Sequence, residues 1–241
     1  MKNLISNTWL TSDTHYNHAN ICKATSKWDN ISEDHLGVRD FNNLQSMNDD
    51  IVNNINKYVA YDNVLYHLGD WSFGGIESIF NFRKRIVCKT IHLIFGNHDH
   101  HIVNNRELPI EQQSEAKEYM YNVHNIKYAD DMLVTTQDLF SSVQNVLQIK
   151  YQKSRHIKAV PIFLSHYSHR VWDRHHKGWF HAFGHSHGSL DYLANGRSID
   201  VGIDTANKRF GEYRPYSADE FIEICKETDV HNIDHHNKKT N

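Results

Sequence analysis

Cysteine and proline are scarce, with three of each in 241 residues. Cys22, Cys88 and Cys225 are far apart and in no CxxC pairing, which argues against a disulfide-stapled secreted scaffold and a cysteine-type zinc site. A reducing compartment, the cytoplasm, is the expected location. The chain also lacks repeats, low-complexity blocks and any Pro- or Gly-rich linker, so a single domain over residues 1–227 is expected. No run approaches the roughly 20 consecutive apolar residues of a membrane helix, and the opening MKNLISNTWLTSD is too short and too polar for a signal peptide. An excess of one charge is missing as well: 26 Lys and Arg stand against 29 Asp and Glu, a formal net charge of −3. Binding duplex nucleic acid by phosphate neutralisation needs a basic surplus. The expected partner is therefore a small molecule, with neither a membrane nor a tightly held duplex.

Histidine, by contrast, is abundant at 20 residues, and it is the commonest metal ligand. His175, His176, His231, His235 and His236 fall in polar runs and read as surface or tail. Beyond Glu227 apolar periodicity is lost, and 228–241 reads as a flexible tail. The other histidines keep different company. Five short apolar runs each end in a polar cluster: Thr8–Leu10 before Ser12-Asp13-Thr14-His15, Asn63–Leu68 before Gly69-Asp70, Ile91–Phe95 before Gly96-Asn97-His98-Asp99, Pro161–Leu164 before Ser165-His166, and Trp179–Phe183 before Gly184-His185-Ser186-His187. Runs of this length and composition read as buried strands, and ligands of open α/β sheets bind beyond the carboxyl ends of strands.

Between them, Met47, Ile51, Ile55 and Tyr58 share a helical face. Ile76–Arg85 and Ile110–Val123 read as helices, and Ser217-Ala218-Asp219-Glu220 as a capping-box start. Val146–Tyr151 and Ser198–Ile203 read as further strands. Asp13 and His15, and likewise His185 and His187, are two apart, so each pair is expected on one side of a strand end. Carboxylate and carboxamide oxygens mixed with imidazoles suit Mn, Fe, Zn, Ni or Co. The ligands are too many for one ion.

In this order, Asp13-Thr14-His15, Gly69-Asp70, Gly96-Asn97-His98-Asp99, His166 and Gly184-His185-Ser186-His187 closely resemble the motifs of the calcineurin-like metallophosphoesterase superfamily, over about residues 9–205. Within it, Ser12–Ile21 with Tyr66–Asp70 resembles the small single-domain phosphoesterases of bacteria and phages. The resemblance implies an α/β (α+β) sandwich of two mixed β-sheets flanked by α-helices. It also implies two divalent transition-metal ions, Mn foremost. One would be held by Asp13, His15, Asp70 and His187 and the other by Asp70, Asn97, His166 and His185, with Asp70 bridging. His98 would stabilise the phosphoryl group or protonate the leaving oxygen, with Asp99 holding its imidazole. The implied reaction is hydrolysis of a phosphodiester or phosphomonoester, a nucleotide-like diester being favoured, by in-line attack of a hydroxide shared by the ions.

Two other readings stand beside it. Net charge and the lack of an appended binding domain weigh against a nuclease acting on single-stranded ends. The complete motif set weighs against a catalytically decayed histidine-rich metal-binding protein. His18, Asn20 and Arg170 are candidate substrate contacts, with His100 and His101 as weaker ones. Trp172 and Arg174 read as solvated loop, and Arg83-Lys84-Arg85 as a helix end favoured by the dipole.

Overall fold

The short apolar runs fold into strands buried on both faces. The computed structural model of the protein describes residues 7–28, 38–190 and 196–228. Strands β1 (Thr8–Thr11), β2 (Val64–His67), β3 (Thr90–Ile94) and β4 (Ser142–Gln144) pair in parallel. A two-residue strand, Tyr216–Ser217, closes antiparallel on the free edge of β1 and makes a five-stranded sheet. The second sheet has four strands in sequence order: β5 (Val146–Tyr151), β6 (Val160–Ser165), β7 (Phe180–Phe183) and β8 (Ser198–Asp200). In it β5 runs antiparallel and the other three parallel. Both sheets are therefore mixed, as the α/β sandwich expected from the sequence requires. Among the described residues six α-helices flank them: α1 (Leu44–Tyr58), α2 (Ile76–Arg83), α3 (His100–Val103), α4 (Ile110–His124), α5 (Ile203–Phe210) and α6 (Ala218–Lys226).

Successive strand residues point to opposite faces, and this divides the core in two. Trp9, Leu65, Ile91 and Leu93 pack with Met47, Ile51 and Ile55 of α1, Phe80 of α2 and Met120 of α4. Leu10, Leu68 and Ile94 turn the other way, against Ile162, Leu164, Ala182 and Ile199 of the second sheet and Phe221 of α6. The capping box at Ser217 is present: its hydroxyl accepts from the Glu220 amide, and the Glu220 carboxylate accepts from the Ser217 amide. α1 starts three residues before Met47, because the Asn43 side chain accepts from the Ser46 amide and caps it there.

Several expectations are corrected. The run Ser198–Ile203 stops being a strand at Asp200, and Ile203 already begins α5. The Asp200 carboxylate takes the Gly202 amide, and the Thr205 hydroxyl donates to the Asp200 and Gly202 carbonyls, which turns the chain into the helix. Arg83 ends α2 as expected, and it is also a buried strut, donating to the carbonyls of Leu139, Ile86 and Lys89. His175 is buried, its ring 4.2 Å from that of Trp172. Trp172 is itself buried and donates its indole N–H to the Trp179 carbonyl, which removes it from the solvated loop. The tail assigned to 228–241, with His231, His235 and His236, lies outside the described residues except for Thr228. Among the described residues no helix is long and apolar enough to cross a membrane.

Two buried histidines are structural. His67 Nε2 is 2.8 Å from the Thr14 hydroxyl, which itself donates to the Trp71 carbonyl, so this nitrogen carries the proton. Burial, and secondarily His166, pushes His67 down to about 3 and keeps it neutral. His181 is held in the same way between Ser165 and Ser198, at 2.8 Å from each.

The parallel strands of both sheets deliver their carboxyl ends to one place. Ser12, just past β1, bridges in parallel to Gly202, just past β8, and the Ile203 amide donates to the Ser12 carbonyl at 3.1 Å. The candidate ligands lie in the loops at this junction.

Candidate metal centre

Each strand ends before its ligands begin. Asp13 and His15 follow β1 with φ of 55° and 45°, Asp70 follows β2 with 56°, and His185 and His187 follow β7 with 66° and 47°. These five are left-handed non-glycine residues, a conformation that costs of order 1–3 kcal/mol each and persists only where surrounding structure enforces it. The enforcing contacts are present: the Asp13 amide donates to the Gly69 carbonyl, His15 to Asp70, and Gly184 to His166. Spacing alone predicts each pair on one side of a strand end. In fact the extended alternation has stopped, and left-handed residues separated by one ordinary residue form the ligand loops. The glycines allow backbone to lie directly on carboxylates. A Cβ on Gly96 would collide with Asp70 Oδ1, and one on Gly184 would lie 2.5 Å from Asp13 Oδ2.

Two groups of ligand atoms result, Asp13 with His15 and His187, and Asp70 with His166 and His185. Within each, the atoms lie within 4.8 Å of one another, so each group could hold a metal ion. Asp70 stands between the groups, its Oδ2 3.6 Å from His15 Nε2 and 3.7 Å from His166 Nε2. Asn97 joins the second group, its Oδ1 2.9 Å from His166 Nε2.

The donor set fits cations. His166 Nδ1 lies 2.7 Å from the Leu68 carbonyl and donates to it, which turns Nε2 toward the Asn97 oxygen, where it can serve as a ligand atom. His15 Nε2 and His187 Nε2 face each other at 3.2 Å. Asp13 Oδ2 accepts from the His185 amide, but Oδ1 is buried with no hydrogen-bond partner. Burial, then Asp200 and Asp70, raises the Asp13 carboxyl well above the ordinary range against the pull of His187. Such a cluster is costly alone, and a cation at its centre inverts the cost.

The surrounding carboxylates were missed in the sequence. His187 Nδ1 lies 2.6 Å from Asp204 Oδ2, and Asp204 takes two hydrogen bonds from the guanidinium of the wholly buried Arg39, at 2.8 and 2.9 Å. Burial pulls His187 down, but the Asp204 hydrogen bond and charge outweigh it and hold the imidazole at about 9. A carboxylate on Nδ1 orients the ring and makes Nε2 a stronger donor to a metal. Asp204 itself is held far below the usual carboxylate range: burial would raise it, and Arg39 and His187 more than compensate. Asp200 fastens the other side of the loop, accepting from the Ser186 hydroxyl and the Gly188 amide. A signal for Asp204 existed, since the apolar run ending at Ile203 is followed by a carboxylate, as are three of the five ligand runs. No pattern marked Arg39.

Asp99 requires a correction. It was expected to hold the His98 imidazole, yet its buried carboxylate accepts from the amides of Asp70, Gly96 and Trp71. It shapes the two ligand loops and leaves the His98 ring free of it. His98 is exposed, donates its amide to Asp70 Oδ1 at 2.9 Å, and places its ring 5.7 Å from that of His15. Phe73, unremarked in the sequence, has its ring 3.7 Å from that of His18 and 4.6 Å from that of His98, so the three rings form one wall beside His15. Tyr167, half-exposed, adds a ring 4.8 Å from that of His185. Asn20 accepts from the Lys27 amide within its own loop, and among the described residues no contact joins it to the ligand groups. Arg170 is exposed between β6 and β7. His100 and His101 open α3 with their rings 4.0 Å apart.

No family model matches the chain, and no curated protein matches it. Among solved structures it is similar to the crystal structure of the "Protein of Unknown Function AQ665 from Aquifex aeolicus", at 16% identity over 90% of this chain and 98% of that one, with a TM-score of 0.48.

Proposed function

We propose that the protein is a metal-dependent phosphoric ester hydrolase of the calcineurin-like kind, acting on a phosphodiester or phosphomonoester, with a nucleotide-like diester favoured. The observation that carries this reading is the position of Asp70, a member of one three-residue group that also faces the other, with one oxygen 3.6 and 3.7 Å from a histidine of each. Asp13, His15 and His187 would hold one ion, and Asn97, His166 and His185 the other, with Asp70 shared. Mn leads for this mixed oxygen and imidazole set, with Fe, Zn, Ni and Co as the other fitting ions. Two such ions supply a nucleophile from water at neutral pH and a clamp for phosphate oxygens.

The chain's own residues do the rest. The left-handed loops fix the ligands before any substrate arrives. His98, exposed with its ring beside that of His15, would meet a phosphoryl oxygen or give a proton to the leaving oxygen. The Phe73 ring packs against its ring, with centroids 4.6 Å apart. The wall of His18, Phe73 and His98 offers flat rings to an aromatic leaving group.

The test is hydrolysis of p-nitrophenyl phosphate and bis-p-nitrophenyl phosphate after chelation and re-addition of Mn, Ni, Zn or Mg. Turnover should vanish on chelation and return first with Mn. No turnover of either ester with any metal would overturn the reading. His98→Ala should retain its metal content and lose about 10²–10⁴-fold in rate. The loss should be larger on alkyl esters than on p-nitrophenyl esters if His98 gives the proton, and equal if it only stabilises phosphate. No loss on either removes it from the chemistry.

A further inference from the structure

The second sheet has another end. At the amino edge of its parallel strands, opposite the edge that carries His166 and His185, lies a cleft of about 640 Å³, within the range of small-ligand sites. Lys150 from β5, Lys158 just before β6, Arg174 and Lys177 from the β6–β7 connection and Arg197 just before β8 line it, with the Trp179 indole. Acidic residues outnumber basic ones in this chain, yet among the described residues no Asp or Glu lines the cleft.

The cations are poorly matched within the protein. Among the described residues none gives Lys150, Lys158 or Lys177 a carboxylate partner, and Arg174 has only an exposed pair with Asp173 at 3.9 Å. Arg197 donates once to the Gly178 carbonyl and lies over the Phe180 ring, while its Nε is buried without an acceptor. Five like charges in one concavity repel each other, which lowers stability unless an anion balances them. Nor are they carried on a slack loop. The Trp172 indole N–H donates to the Trp179 carbonyl at 2.9 Å, the Gly178 amide donates to the His175 carbonyl at 2.8 Å, and the Arg174 guanidinium sits 4.8 Å over the Trp179 ring. The segment that carries Arg174 and Lys177 is held in place.

We propose that this cleft binds a compact polyphosphate anion, a chain of two or three phosphoryl groups either free or carried on a nucleoside. Guanidinium and ammonium groups from four segments converge on one volume, which suits a dense multiple charge. A groove for a nucleic-acid strand instead tracks an extended backbone with successive exposed aromatic platforms. Here there is one half-buried indole, and Arg174 already covers one of its faces. The six residues of β6, at about 3.3 Å each, set the cleft roughly 20 Å from the metal-ligand groups. The two sites are separate, and this inference does not rest on the phosphoester reading.

The experiment is calorimetric titration of the full chain in EDTA, so that no cation at the ligand groups attracts phosphate. The probes are tripolyphosphate, ATP and a single-stranded oligoribonucleotide. Tripolyphosphate and ATP should each bind at one site per chain, and more weakly as salt rises from about 50 to 200 mM. The double variant Lys158→Glu/Lys177→Glu, altered only at exposed positions, should melt as the parent does and bind both at least about tenfold more weakly. Trp179→Ala distinguishes the two sources: a selective loss of ATP affinity supports a nucleotide ligand, and equal affinities support the bare phosphate chain. The proposal falls if the parent binds neither anion, if the double variant keeps full affinity, or if the oligoribonucleotide binds more tightly than both.

Discussion

Asp70→Asn is expected to empty both ligand groups at once and abolish ester hydrolysis. The substitution is the cleanest available, because asparagine tolerates the left-handed backbone that Asp70 adopts, φ 56°, and its carboxamide oxygen still accepts from the His98 amide. What changes is one negative charge and one ligand oxygen, located 3.6 Å from His15 Nε2 and 3.7 Å from His166 Nε2. If that oxygen serves both ions, metal content measured after dialysis should fall at both sites. The rate should drop by about 10⁴-fold or more, since metal stabilisation of the transition state supplies several kcal/mol and each 1.36 kcal/mol is tenfold. An opposite effect is expected on stability after chelation. Asp70 is among the charges that push the buried Asp13 carboxyl upward, so removing it relieves like-charge repulsion. Relief of about 1 kcal/mol would raise the melting temperature of the chelated variant by about 2–4 °C in a chain of this size. A variant with undiminished metal content and full turnover would refute Asp70 as the shared ligand.

The contrast between what the sequence revealed and what it hid follows from range. Apolar runs such as Ile91–Phe95 and the capping box at Ser217 announce themselves locally, because strand burial and helix capping depend on neighbours in the chain. The ligand motifs were legible for a related reason: each follows its own strand within a few residues. The signs of φ were not legible. The spacing of Asp13, His15, His185 and His187 suggests a continuing extended alternation, whereas left-handed turns fixed by amides and carbonyls from other segments hold them. Asp99 misled in the same way. Adjacency to His98 suggested a pairing, but three backbone amides, two of them delivered by the loop after β2, claim its carboxylate first. His175 reads as surface because polar runs usually are, and only tertiary packing buries it.

Arg39 is the extreme case, a residue 165 positions from its partner Asp204 and with no motif around it. Its guanidinium is fully buried and makes four hydrogen bonds: Nε and Nη2 reach Asp204, Nη1 donates to the Thr14 carbonyl at 2.8 Å, and Nη2 to the Asp13 carbonyl at 2.7 Å. It thus ties the first ligand loop to the carboxylate that orients His187. Arg39→Met should destabilise the protein by about 3–5 kcal/mol, because the buried Asp204 would lose its larger compensating charge and keep only His187. That corresponds to a melting temperature lower by about 6–20 °C. Arg39→Lys should recover little, since an ammonium cannot reproduce the two-pronged contact with Asp204 while also reaching two carbonyls. The informative variant is Arg39→Met/Asp204→Leu. Removing both charges together should restore much of the stability, yet His187 would lose the hydrogen bond that fixes its ring, and metal affinity measured by chelator competition should stay about 10–100-fold weaker. Stability and metal affinity then separate in one protein. Parental metal affinity in the double variant would show that the Arg39–Asp204 pair holds the fold and does not position His187.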